Sequence, residues 1–416
     1  MADKSSLKRS NTLSDQTISG PRITALQQAL AQGDHAALDA FWREVSQQGT
    51  PLIEPVAHDT QNSLVTFVWR GGVETQSVAV VSNLSGQMGA SEAMARLPAT
   101  DLWYRTYKLP NDARESYQFA VAGENVTDPF NPRQYVWPDD AELEFTGWVS
   151  AVLELPDAPP QPWSTPRPDT PGGQVTLHRI HSEFLDREYR VWVYTPLSYT
   201  TDSAAYGFLL MLDGWIYMNL IPTPTILDNL LADGRLPPLV AIMVGSPMDP
   251  TRQRDLACYP PFVDFVTKEL LPWAHANYHL TQDPAQTCVT GGSRGGLAAA
   301  HLGFKHPELF GQVLSQSGAF SWKPEREGEF FWLPRQYAAS SRLPLRFYLE
   351  AGLFETAVPT DFGGEQDFLA ASRHMRDVLH AKGYEVHYQE YSTGHNPLNW
   401  QATLATGLLA LLGTSK

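Results

Sequence analysis

Five residues in the second half of the chain have the spacing of an activated serine: Gly291-Gly292-Ser293-Arg294-Gly295 is a G-x-S-x-G segment. A serine hydroxyl is a weak nucleophile until a base takes its proton and fixed donors stabilise the resulting oxyanion. The segment therefore gains its meaning from what flanks it. Thr287-Cys288-Val289-Thr290 before it is β-forming, and Gly296-Leu-Ala-Ala-Ala-His301 after it is a run of small helical residues. Strand, tight turn and helix would hold Ser293 on a strained turn, with glycines two residues away on each side letting strand and helix approach. The chemistry expected is acyl transfer, with the backbone N–H of Arg294 at the helix N-terminus donating to the oxyanion.

A second oxyanion donor should follow an earlier strand. Met211-Leu212-Asp213-Gly214-Trp215 ends one, and the Trp215 N–H is the candidate. In a fold of this kind the base comes last in the chain. His374 and His380 lie on a helical stretch and His387 in a strand, where packed or solvated roles are expected. His395 lies in the post-strand loop Ser392-Thr-Gly-His-Asn-Pro397, the position from which open α/β sheets place catalytic groups. The acid that holds the histidine tautomer should follow the strand Leu345 to Glu350. Glu350, Glu355, Asp361 and Glu365 are in range, and Glu355 is favoured as the first carboxylate past the turn at Gly352.

The elements that must position these groups can be read from the pattern. The 416 residues, 43% hydrophobic and 18% charged, suit a folded chain with room for two cores. Residues 1–20 read as a flexible tail. Residues 21–50 read as two short helices broken at Gly33-Asp34. Together with the short strands that follow to about 155 they make an N-terminal all-β, immunoglobulin-like sandwich domain. Residues 156–173 are a proline-dense linker. From 174 to 416 strands alternate with helices, which predicts an α/β-hydrolase domain with a mainly parallel sheet covered on both faces.

Charge and cysteines narrow the partners. A net charge of −15 argues against nucleic acid and anionic membranes. A small-molecule ester is the expected substrate, and an anionic one would need a local cluster of cations. Cys258 and Cys288 form no disulfide framework and lack metal-ligand spacing to a histidine, so no metal or cofactor is called for. No apolar run approaches a membrane span, and no apolar core follows the positive charges at the N-terminus, so the default expectation is the cytoplasm.

Several segments resemble the enterochelin (enterobactin) esterases among the esterase-D-like hydrolases. They are Gly291-Gly-Ser-Arg-Gly-Gly-Leu-Ala-Ala-Ala, His306-Pro-Glu-Leu-Phe-Gly311, Leu314-Ser-Gln-Ser-Gly318, Leu212-Asp-Gly-Trp215, Leu349-Glu-Ala-Gly352 with Glu355, and Gly394-His395 with Trp400. Val65-Thr-Phe-Val-Trp-Arg70, Asp101-Leu-Trp103 and Asp128-Pro129 with Asn131-Pro132 are similar to that family's N-terminal domain. The resemblance implies hydrolysis of the ester bonds of a cyclic tri-catecholate siderophore after import, so that iron can be released. Ser293, His395 and Glu355 carry over to the catalytic positions. The chain departs from the family at Asn396, where Asp is usual, at Asp255, where Glu is frequent, and at Arg294.

Such a substrate is strongly anionic. Arg252 and Arg254, after the strand ending at Val244, are the candidate substrate-binding cations. Lys323, Arg326 and Arg335, with Trp322, Phe331 and Trp332 for ring stacking, would form a cap. Two rival readings stand beside this one. One is an esterase acting on a peptide lactone, a feruloyl ester or another secondary metabolite. The other is a binding module with a vestigial hydrolase site, which would need Trp69, Trp103 and Trp137 to form one exposed face.

Overall fold

The apolar runs Gly207–Leu212 and Leu239–Val244 are buried at every position, as parallel strands covered on both faces must be. They lie inside an eight-stranded sheet in a computed structural model that describes residues 18–202, 204–247, 249–360 and 363–414. Most of the expected N-terminal tail, and Asp361, lie outside the described residues.

Along the sheet the strands run Gln174–Ser182, Arg187–Thr195, Leu239–Val244, Gly207–Leu212, Thr287–Gly292, Gln312–Gln316, Arg346–Gly352 and Glu385–Tyr391. The first two pair antiparallel with their neighbours and the rest are parallel. The chain steps from Gly207–Leu212 to one side, at Leu239–Val244, and then returns to the other, at Thr287–Gly292. That reversal opens a crevice at the carboxyl ends of Gly207–Leu212 and Thr287–Gly292, where open α/β sheets bind ligands.

The chain divides into two compact units. One comprises the chain up to Val80, Ser91–Asn111 and Phe119–Pro132; the other comprises Val81–Ala90, Asp112–Gln118 and Arg133 onward. In the first, the helices Pro21–Ala31 and Ala36–Gln48 are separated at Gly33, whose φ of +89° suits glycine. Ile23, Leu26, Phe41, Trp42 and Val45 pack with Leu52, Val68 and Leu102 of an antiparallel sheet. Trp103 is buried and Trp69 packs edge-on against Phe119, so these two indoles serve as core and do not offer the exposed face that a binding module needs.

The second unit holds the eight-stranded sheet and, before it in the chain, the antiparallel strands Gln134–Trp137 and Trp148–Glu154, the latter paired with Arg114 to Tyr117. The proline-dense stretch after them has a fixed course. Asn229 Nδ2 donates to the carbonyls of Trp163 and Thr165 at 2.8 and 2.9 Å, and Trp163 Nε1 donates to Asp233 at 2.9 Å. The helix expected from Phe262 to Tyr278 begins at Pro260 and is interrupted by a π-helical turn, Phe265–Leu270. Pro272 has no N–H for the i−4 carbonyl and its ring crowds that turn, which accounts for the register change. No described helix is long and apolar enough to cross a membrane.

Candidate active site

Ser293 ends the strand Thr287–Gly292 and caps the helix Arg294–Lys305 with φ 57° and ψ −117°, a backbone conformation that L-residues rarely adopt. The glycines around it are required by packing. A Cβ on Gly291 would fall 2.5 Å from the Gly295 carbonyl carbon, and one on Gly296 would collide with Ser315 Oγ. The turn is held by the Ser293 N–H donating to the Gln316 carbonyl at 2.8 Å and the Ala319 N–H donating to the Ser293 carbonyl at 3.1 Å.

Arg294 is the first residue of the helix, so its N–H is among the first-turn donors that find no acceptor within the helix. Asp213-Gly214-Trp215 lies against this helix start: a Cβ on Gly295 would sit 3.1 Å from Asp213 Oδ2. Asp213 takes a left-handed conformation, φ 63°, and opens the short helix Gly214–Asn219, in which Trp215 is second. The Trp215 side chain is anchored away from the crevice, its Nε1 donating to Asp140 at 2.7 Å.

Arg252 has a task other than the expected one. It stands on a short helix, Pro250–Asp255, and its guanidinium grips the Asp213 carboxylate with two bonds, 2.7 and 2.5 Å. A buried Asp213 needs such a partner, and the fork of Arg252 matches a carboxylate in plane. Arg252 therefore braces the loop that carries Trp215 instead of facing the neighbouring cleft. Arg254 pairs with Asp255 at 2.6 Å but stays half exposed over the Tyr259 ring, and it lines that cleft.

The histidine and acid meet as the chain order predicts. His395 Nδ1 lies 3.4 Å from Glu355 Oε1. That is long for a hydrogen bond, and such bonds shorten when substrate closes a site. Glu355 is wholly buried, and its Oε1 also accepts from Ser317 Oγ at 2.6 Å. The His395 ring is wedged edge-on between Phe368 and Trp400, with centroids 5.3 and 5.5 Å away. Trp400 joins histidine to serine: its ring closes on Gly292, where a Cβ would meet it at 2.6 Å, while its Nε1 donates to Ser317 Oγ at 3.1 Å.

The other carboxylates fall away. Glu350 turns into the core, accepting from Thr403 Oγ1 at 2.6 Å and Gln316 Nε2 at 3.2 Å, and burial pushes its carboxyl up to about 8. Glu365 is exposed and accepts from Gln87. His374 and His380 are exposed on the helix Phe368–Ala381, and His387 stands 3.4 Å from Glu385.

Sequence reasoning missed the support behind His395. Gly394 packs so closely on Asn83 that a Cβ there would collide with the Asn83 Cβ. We expect Gly394→Ala to lower the thermal midpoint by the equivalent of about 1–3 kcal/mol of overpacking. Differential scanning calorimetry would measure the loss.

Arg254, Tyr259, Trp322, Lys323, Glu325, Arg326 and Trp332 line an open cleft of about 770 Å³, and Trp322 also lines a small pocket that reaches Arg294, the residue after the serine. Arg335, expected there, is held by Glu327 at 2.8 Å and Glu329 at 3.3 Å. Phe331 packs against His374.

A nucleophile elbow, a histidine backed by a buried carboxylate and two converging loops with backbone donors are the parts of an acyl-transfer site. The relatives agree. A family model described as "Putative esterase" matches residues 182–411, more than half of the chain, and one described as "Enterochelin esterase, N-terminal" matches residues 64–127. An iron(III) enterobactin esterase of Dickeya dadantii is 28% identical over 92% of this chain and 95% of its own. The ferric enterobactin esterase of Salmonella typhimurium superposes with a TM-score of 0.73 at 26% identity, covering 90% of this chain and 98% of that one. The enterobactin esterase of Shigella flexneri, solved in the presence of enterobactin, gives 0.71 at 25% identity over 88% and 97%. The chain therefore belongs to the esterase family, in its enterochelin esterase branch, and is a carboxylic ester hydrolase.

Proposed function

We propose that this enzyme hydrolyses the ester bonds of a catecholate siderophore of the enterobactin type, aiding release of its iron. Ser293, His395 and Glu355 would be the catalytic triad, with the Arg294 and Trp215 N–H groups as the oxyanion hole. The observation that carries the triad is the strained Ser293 turn tied through Trp400 to a histidine 3.4 Å from a buried carboxylate. What carries the substrate class is the cleft beside it together with relatives whose names specify iron(III) enterobactin.

The steps follow from the placement of the groups. Ser293 Oγ attacks the ester carbonyl carbon while the far nitrogen of His395 takes the hydroxyl proton. The oxyanion is held by the two backbone N–H groups, and Glu355 holds the Nδ1–H and stabilises the imidazolium. As the ester C–O bond breaks, His395 returns the proton to the leaving alkoxide. Water, deprotonated by His395, then attacks the acyl-serine and frees the carboxylic acid and the enzyme.

A ferric tri-catecholate carries negative charge toward a protein whose own net charge is −15. Arg254, Lys323 and Arg326 outnumber Glu325 among the charged residues of the cleft, although Arg254 is already paired with Asp255, while Trp322, Trp332 and Tyr259 offer aromatic faces to catechol rings. We expect the pair Arg254→Glu with Lys323→Glu to raise KM for a ferric tri-catecholate by about 10- to 100-fold, less so at high salt. KM for an uncharged aryl ester should barely move. Equal KM changes for both substrates would remove the cleft from the substrate path.

Mass spectrometry of products from cyclic and linear catecholate esters, peptide lactones and feruloyl esters tests the substrate class directly. Stepwise hydrolysis of the cyclic catecholate, faster than of the others, is the expected result; a faster lactone peptide or feruloyl ester would replace the reading. The cytoplasm is the proposed location. Both cysteines are buried free thiols, which persist in a reducing compartment.

A further inference from the structure

Glu115 has no place in the chemistry above, yet it is bonded to the catalytic loop on both sides of the histidine. It stands on the strand Arg114–Val121 and is wholly buried. Four donors converge on its carboxylate. Oε2 accepts from the Gly394 N–H at 2.7 Å. Oε1 accepts from Asn396 Nδ2 at 2.5 Å, Asn83 Nδ2 at 3.1 Å and the Ser116 N–H at 2.9 Å. Two of these donors belong to the residues on either side of His395. The Arg114 N–H adds a bond to the Ser392 carbonyl at 3.0 Å, so the same short segment holds the loop at three points.

Asn396 is fixed at both ends of its amide. Its Oδ1 caps the helix Pro397–Leu412 by accepting from the Asn399 N–H at 3.2 Å, which leaves Nδ2 for Glu115. Burial pushes the Glu115 carboxyl up, and the Ser116, Gly394 and Asn83 donors act against that by favouring the charged acceptor. With donors on both oxygens Glu115 is held as an acceptor, whereas Glu350 Oε2 has no donor. An aspartate in place of Asn396 would set two carboxylates against each other in a buried place, at a separation where one must hold a proton. The amide of Asn396 and the carboxylate of Glu115 therefore form a complementary pair.

We propose that Glu115 is a positioning residue for His395: it fixes the loop on both sides of the ring, so that the imidazole is presented to Ser293 and Glu355 before substrate binds. The proposal rests on the triad reading above. It says nothing of substrate contact, since Glu115 reaches the reaction only through the backbone of Gly394 and the amide of Asn396.

The test is a complementary swap read with an uncharged aryl ester. Glu115→Gln is nearly isosteric but turns a donor toward donors. We expect its kcat to fall about 10- to 100-fold with KM within threefold, because a misplaced base affects the transition state more than binding. Fluorophosphonate labelling of Ser293 should slow by the same factor. Combining Glu115→Gln with Asn396→Asp exchanges donor and acceptor within the pair. The introduced amide donates to the introduced carboxylate and still accepts from the Gly394 N–H, while that carboxylate keeps the helix cap; Asn83 Nδ2 and the Ser116 N–H are left facing the amide nitrogen. The double variant should therefore recover part of the loss, with kcat at least about threefold above that of Glu115→Gln alone. Asn396→Ser keeps the cap but shortens the side chain away from Glu115, and should lower kcat several-fold while the thermal midpoint falls by the equivalent of about 1–3 kcal/mol for the lost buried bond.

Parent-like turnover in Glu115→Gln and in Asn396→Ser would overturn the proposal, and so would a double variant no more active than Glu115→Gln alone. Should Glu115→Gln fail to fold, the double variant and Asn396→Ser decide alone. An inactive Ser293→Ala beside a fully active Glu115→Gln would reject the positioning role and leave the triad standing. An active Ser293→Ala would reject both.

Discussion

Replacing Ser293 with alanine should lower kcat by about 10⁴- to 10⁶-fold, equivalent to roughly 5.5–8 kcal/mol of transition-state stabilisation, with the thermal midpoint nearly unchanged. The magnitude follows from what remains. Without the hydroxyl there is no acyl-enzyme, but the Arg294 and Trp215 N–H groups and the substrate cleft persist, and such remnants still hold a carbonyl for attack by water. The fold should tolerate the change because Ser293 already sits at φ 57° and its side chain does not cap the helix that it precedes. Alanine in that conformation is strained about as much as serine. Turnover of an activated aryl ester within a few fold of the parent, or undiminished fluorophosphonate labelling, would remove Ser293 from the mechanism.

Ser293 was legible because everything that defines it is local. The β-forming run, the glycines and the small-residue helix lie within fifteen residues; the steric demand on Gly291 is the one the spacing predicts, while on the helix side it is sharper at Gly296 than at Gly295. His395 was legible through chain order and its place after a strand. The alternation of strand and helix revealed the sheet, although the edge strand Gln174–Ser182 escaped notice, its residues too mixed in polarity to stand out. The Arg252–Asp213 pair was not legible, because a cation after a strand on the catalytic edge looks the same whether or not it holds a buried carboxylate 39 positions earlier. Glu115 carried no signal at all. In Arg114-Glu-Ser-Tyr-Gln-Phe119 it falls in phase with the inward-facing Tyr117 and Phe119, but the loop that supplies its donors lies 279 residues further on, so nothing nearby says what it holds.

Glu355→Gln is the sharpest test of how the triad is completed, since the candidates after the strand Arg346–Gly352 differ so much in surroundings. Glu355 is wholly buried 3.4 Å from His395 Nδ1, and Ser317 Oγ donates to the same oxygen, with Trp400 Nε1 bonded to that hydroxyl in turn. A glutamine there keeps the volume but can present its amide N–H to Nδ1. That would favour the tautomer protonated on the nitrogen facing Ser293, which cannot accept the serine proton. The loss expected is about 10⁴-fold in kcat, as for an acid that sets the tautomer. Glu350→Gln should behave oppositely. Its carboxyl, pushed up to about 8 by burial, is largely neutral at pH 7, and Thr403 and Gln316 can bond an amide oxygen as well as an acid. We expect kcat within about threefold and an equal or higher thermal midpoint above pH 7. The sign follows from the raised folded value: stability is lost as pH climbs from the ordinary 4.5 toward 8, and a neutral amide does not share that loss. Steady-state kinetics of the two variants, with melting curves at about pH 5 and about pH 9, below and above the value of about 8 at which the folded carboxyl titrates, would separate them. A large loss in Glu350→Gln together with a small one in Glu355→Gln would move the acid to the strand end.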